Sequence, residues 1–165
     1  MLNTHRCAKA LQLTVAVIKP DAVAHPLILE VKPPYIFDAS SCVLSHLSGR
    51  FFYQRLVEFM SSGPMRAYVL AREDAITHWR ELMGPTKVFR ARYTSPLTIR
   101  AQYGLTDTRN TTHGSDSAES ARREINFFFP DFSQETWMAR EELGFRKGRM
   151  EYNQKKQIHT LQVHS

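Results

Sequence analysis

Hydrophobic positions fall into two kinds of block, short β-branched runs and longer stretches with apolar residues three and four apart. Leu11 to Lys19 (LQLTVAVIK) is an apolar run ended by Pro20, the pattern of a strand buried on both faces. Asp21 to Val31 opens as a helix carrying Leu27, Ile28 and Val31, with Pro26 tolerable only in its first turn. Lys32-Pro33-Pro34 breaks this pattern. Tyr35 to Gly49 shows neither alternation nor a helical stripe, and Ser40, Ser41, Ser45 and Ser48 give it loop chemistry.

From Phe51 the pattern returns. Phe52, Leu56, Phe59 and Met60 share a helical face, stopped by Ser61-Ser62-Gly63-Pro64. Met65 to Ala71 reads as a strand. Glu73 to Met83 reads as a helix with Ile76, Trp79, Leu82 and Met83 inward, closed by Gly84. Pro85 to Tyr103 reads as a long basic connection with a helical turn after Pro96. Thr111 to His113 reads as a short strand, and Ser117 to Phe128 as an amphipathic helix presenting Ala118, Ala121, Ile125 and Phe128. Pro130 ends it, and Ser133 to Glu142 adds a turn or two. The order predicts a compact α/β sandwich at 11–132, with residues 1–10 a disordered or targeting terminus. Residues 133–165 are expected to form a poorly ordered extension, polar and basic beyond Gly144.

The length, 165 residues, suits one domain with a real core. Two cysteines, Cys7 and Cys42, suggest no disulfide framework and a reducing compartment. No apolar run approaches the ~18 residues of a membrane span, so no membrane partner is expected. Met1 to Ala10 carries His5, Arg6 and Lys9 without an acid, compatible with a short mitochondrial presequence or a plain terminus. The expected compartment is mitochondrial or cytoplasmic. The net charge of +6 points to an anionic partner, and Lys87, Arg90, Arg92, Arg100 and Arg109 crowd the middle of the chain. Nucleic acid is not expected as that partner, because the basic loop and tail lack the aromatic interleaving of single-strand binders.

Candidate chemistry concentrates in Arg109-Asn110-Thr111-Thr112-His113-Gly114-Ser115-Asp116-Ser117. His113 stands before a helix start as a candidate nucleophile. Gly114 lets another group approach it closely, and Asp116 with Glu119 reads as the helix cap. Neither GxxxxGK[ST] nor GxGxxG occurs. Phosphates would therefore be held by side chains, and Lys19, Arg80, Thr86, Arg100 and Arg109 are the candidates.

Taken in order, Lys19-Pro20-Asp21-Ala22-Val23, Phe52 with Leu56-Val57, Ser62-Gly63-Pro64, Arg80 with Leu82-Met83-Gly84, Thr98-Ile99-Arg100 and Asn110-x-x-His113-Gly114-Ser115-Asp116-Ser117 resemble the nucleoside diphosphate kinase family over residues 11–132. The Ala of KPDAV, the HPLILE stretch and the long VFRARYTSPLTIR loop are similar to its divergent sixth branch. The resemblance implies a ferredoxin-like α/β sandwich (α+β, antiparallel sheet). It also implies ping-pong transfer of the γ-phosphate of a nucleoside triphosphate, ATP, to a nucleoside diphosphate through a phosphohistidine at His113. By position Lys19, Arg80, Thr86 and Arg100 clamp phosphates, Asn110 binds the sugar end and Phe52 stacks on the base. Glu124 holds the other imidazole nitrogen, with Ser115 beside the pair. Mg2+ would bridge nucleotide oxygens, with no protein-only metal site.

Two departures follow. Leu44 stands where the family places a tyrosine eight residues before the stacking Phe. Residues 31–49 are also too few for a helix end, a strand and another helix. The second strand and following helix are therefore expected to be missing or altered, the dimer face compromised, and stability and catalysis weakened. The alternative function is a catalytically impaired member that binds nucleotide or a protein partner as a subunit.

Overall fold

The computed structural model describes residues 9–25, 37–40, 53–154 and 158–162. Expectations for 1–8, for the helix beyond residue 25 and for Leu44 and Phe52 lie outside the described residues. A four-stranded antiparallel sheet runs in the order β2-β3-β1-β4, with β1 Gln12–Ile18, followed by the short helix α1 Pro20–Val23, then β2 Phe37–Ser40, β3 Arg66–Arg72 and β4 Thr112–Gly114. β1 is central, pairing Val15 with Val69 of β3 and Val17 with His113 of β4. A strand covered on both faces must be largely apolar, which LTVAV supplies apart from the buried Thr14.

Period-two alternation sorts these side chains into two cores. Leu13, Val15 and Val17 join Ala67, Val69 and Ala71 on one face. They lie beneath Phe59 and Met60 of α2 (Tyr53–Met60) and Ile125 and Phe128 of α6 (Ala118–Phe128). On the other face Ala16, Tyr68 and Leu70 meet Trp79 and Met83 of α3 (Ala75–Met83). This is the antiparallel α+β sandwich that the resemblance implied.

Four features differ from expectation. A second strand is present: β2 pairs antiparallel with β3, Phe37 opposite Val69 and Ser40 opposite Arg66. The segment 85–103 carries the helical turn expected after Pro96 as α5 (Ile99–Tyr103), but the stretch before it also folds, as α4 (Val88–Thr94), with Val88, Ala91 and Ala101 buried. Leu82 is exposed rather than inward.

The fourth concerns residues 133–154 and 158–161, which fold onto the domain. α7 (Gln134–Arg140) and α8 (Glu142–Arg146) bury Trp137 and Phe145 in the larger core, with rings 5.3 Å apart. Each large aromatic buried this way contributes roughly 1.5–3 kcal/mol. Buried Glu142 accepts the Leu11 N–H at 2.8 Å and pairs with Arg146 at 3.1 Å, clipping the extension to the start of β1. A hairpin of β5 (Met150–Asn153) and β6 (Ile158–Leu161) closes back, Leu161 lying against Gly144. Two large side chains among many polar ones suffice for burial without a legible periodic stripe.

Candidate active site

β4 alternates across the sheet, so His113 faces α6 while Gly114 faces α3. His113 Nε2 lies 3.1 Å from Glu124 Oε2 on α6, and Ser115 Oγ donates to the same oxygen at 2.8 Å. Ser115 Oγ in turn accepts the Val15 N–H at 3.3 Å, replacing the ladder where β4 ends. Burial raises the Glu124 carboxyl, but the His113 contact and the Ser115 hydrogen bond outweigh it and hold it below its ordinary range. An ionised Glu124 takes a proton donor at Nε2, which leaves Nδ1 with its lone pair free. The His113 side chain is 44% exposed, open enough to meet a ligand.

On the opposite side of the sheet, the group that approaches Gly114 is an indole. A Cβ there would lie 2.6 Å from Trp79 Nε1, and that nitrogen donates to the His113 carbonyl at 3.1 Å. Glycine is required because α3 presses Trp79 onto the strand, and the imidazole's backbone is fixed by the same contact. Ser117, not Asp116, caps α6, its hydroxyl accepting from Ser120 N at 3.1 Å.

A second network joins the proposed phosphate-binding residues. Lys19 ends β1, and its Nζ donates to Asn110 Oδ1 at 2.6 Å; Asn110 Nδ2 donates to the Thr86 carbonyl at 3.1 Å. Arg100 of α5 reaches the carbonyls of Gly84 and Thr112 at 2.8 and 2.9 Å. Burial, then the Arg100 charge, pushes Lys19 down to about 8. Burial, then the Arg80 charge, pushes Arg100 down to about 10. The Asp21 charge offsets part of the shift at Lys19, but the hydrogen bonds of both cations go to neutral acceptors, and an anion would supply further negative charge.

Lys19 and His113 line one cavity of about 460 Å3, walled by Leu56 and Met60 of α2 and Phe127 of α6. Arg80 is exposed on α3; its charge acts on Arg100 and Asp116 without a hydrogen bond to the other candidates among the described residues.

Residues 39–134 match the family model for Nucleoside diphosphate kinase. Nucleoside diphosphate kinase 6 of Danio rerio is 66% identical over 171 residues, covering 94% of this chain and 98% of the relative. Nucleoside diphosphate kinase 6 of Homo sapiens is 53% identical over 176 residues, covering 96% and 94%. The chain belongs to the nucleoside diphosphate kinase family. The solved nucleoside diphosphate kinase of Aquifex aeolicus aligns with a TM-score of 0.64 at 38% identity, covering 76% of this chain and 97% of that one. The Danio rerio alignment spans more positions than the 165 residues here, so that relative carries residues this chain lacks.

For this member of the kinase family, the described residues bring together His113, Glu124 and Ser115 in one network. Lys19, Asn110 and Thr86 form another, with Arg100 bonded beside it and Arg80 at its rim. Several neighbours were not singled out from the sequence. Trp79 is one; Asp21, whose Oδ2 accepts the Thr111 N–H at 3.1 Å, is another. Thr111 itself has φ 71° and lies inside a Thr112 N–H to Asn110 carbonyl bond of 2.8 Å. That is the γ-turn with positive φ, the rarer and more strained form, held here between the two networks. The ring of Phe59 lies 6.0 Å from both Lys19 Nζ and the Arg109 guanidinium. Asp21 carried a sequence signal inside KPDAV, and Trp79 and Phe59 carried only the inward spacing of their helices.

Among the described residues no group of three His, Cys, Asp or Glu could hold a metal, and none of the helices is long and apolar enough to cross a membrane.

Proposed function

We propose that the protein is a nucleoside diphosphate kinase working through a phosphohistidine at His113. The observation that carries this reading is the Glu124 contact at Nε2, which leaves Nδ1 free in a cavity that also holds Lys19. Nδ1 attacks the γ-phosphorus of a nucleoside triphosphate such as ATP. An N–P bond forms, the bond to the β,γ-bridging oxygen breaks, and the diphosphate departs. A second nucleoside diphosphate then attacks that phosphorus through a terminal oxygen, and the N–P bond breaks. Because the transition state is loose, the residues act mainly by positioning and charge neutralisation. Lys19, Arg100, Arg80 and Thr86 take the phosphates, Asn110 the sugar end and Phe52 the base. Glu124 and Ser115 hold the imidazole.

These cations suit phosphate oxygens and do not form a cage for a bare metal. A magnesium ion would be held by the nucleotide's own oxygens, so no step is assigned to it here. A second reading, an impaired subunit that binds nucleotide or a protein partner, is favoured by the residues that the longer relative has and this chain lacks. The His113→Ala variant tests the first reading. Phosphoryl transfer should vanish while binding of a fluorescent ATP analogue persists; transfer that survives the substitution would overturn it.

A further inference from the structure

Two aromatic side chains of α4 point outward. Phe89 and Tyr93, one turn apart, are 72% and 76% exposed, with rings 5.0 Å apart and tilted by 53°. Leu97 follows at 88%. This orientation is set by packing, because Val88 and Ala91 occupy the buried side of the same helix. Lys87 and Arg90 flank Phe89 in the sequence and are exposed, and Arg92 is tied to the Gly104 carbonyl at 2.8 Å. From Leu82 to Thr106 the sequence contains no acidic residue. The His113 cavity uses none of these side chains.

Exposed aromatic rings interleaved with exposed cations fit a ligand that is both planar and polyanionic, although one carboxylate, Asp107, accepts the Val88 N–H at the start of the helix at 3.1 Å. We propose that α4 binds single-stranded nucleic acid, its bases stacking on Phe89 and Tyr93 and its phosphates neutralised by Lys87 and Arg90. The same face meeting its own copy about a two-fold axis would bring Lys87 and Arg90 against like charges, which disfavours self-association there. The segment looked devoid of aromatic interleaving when taken as a connection; as a helix, the four-residue spacing of FRARY sets both rings on one side.

The test is fluorescence anisotropy of labelled dT20 and U20 with the full chain at several salt concentrations and saturating ATP, the two oligomers separating DNA from RNA. Binding to at least one should persist with ATP and weaken with salt by a log–log slope of about −0.7 per phosphate contacted. F89A/Y93A should weaken it about tenfold or more. K87Q/R90Q should make the slope about 1.4 shallower. Both variants alter exposed positions, and an unchanged circular-dichroism melt would show them folded. Four results would each overturn the proposal: affinity unchanged in F89A/Y93A, displacement of the oligomer by ATP, capture by phosphatidylserine vesicles but by neither oligomer, or a self-association that F89A/Y93A abolishes without any oligomer binding.

Discussion

Replacing Gly114 with alanine tests whether the imidazole strand is held by the indole beneath it. A strand alanine normally gains about 0.5–1 kcal/mol over glycine in backbone order. Here the added Cβ would sit 2.6 Å from Trp79 Nε1 and 2.8 Å from Met83 Cε, both side chains buried. The Met83 methyl can swing aside, but the indole cannot retreat without moving α3, so overpacking of about 1–3 kcal/mol is expected, plus about 1 kcal/mol for the Trp79 bond to the His113 carbonyl. The net loss, about 1–3 kcal/mol, is a large share of the 5–15 kcal/mol typical of a domain. It should lower the melting midpoint by about 2–12 °C. Urea denaturation followed by tryptophan fluorescence measures it. The same substitution in a W79L background should cost at least 1 kcal/mol less, because the obstructing ring is gone. A midpoint for Gly114→Ala at or above that of the parent, or equal costs in both backgrounds, would refute this reasoning.

Other expectations follow from the same networks. Glu124→Gln should slow phosphohistidine formation about 10–100-fold while leaving nucleotide affinity within twofold, measured by labelling and equilibrium binding. Lys19→Met should abolish nucleotide binding yet stabilise the fold at pH 7 by about 1–3 kcal/mol, since Lys19 is near 8 when folded against 10.5 unfolded. Between those pH values the unfolded chain binds the proton and the folded one has released it. Parent stability should therefore rise with pH across that window, and the rise should be smaller in Lys19→Met. Trp137→Ala should cost about 3–5 kcal/mol in a urea midpoint; a cost below 1 kcal/mol would mean that 134–146 is not part of the core.

Legibility followed how much of an element's identity lies in its own side chains. β1 was plain because a strand covered on both faces is largely apolar, and α6 because Ala121, Ile125 and Phe128 repeat at helical spacing. α4 buries only Val88 and Ala91, so its sequence shows more of its exposed face than of its packing. β2, Phe-Asp-Ala-Ser, has no β-branched residue and gains its conformation by pairing with β3. In the site, His113 was marked by its neighbours in the chain, Lys19 and Arg100 by chemistry suited to phosphate, and Asn110 by the family resemblance. Trp79 beneath Gly114 and Phe59 beside Lys19 belong to contacts made across the sheet or between a strand end and a helix. No local spacing encodes these.

The most direct measurement is incubation of the purified full chain with γ-32P-ATP, followed by mapping of the labelled residue and a chase with unlabelled GDP. The label should appear on His113, be absent in His113→Ala and pass to GDP as GTP. Nucleotide binding without any label on His113, or label that persists in His113→Ala, would contradict the account.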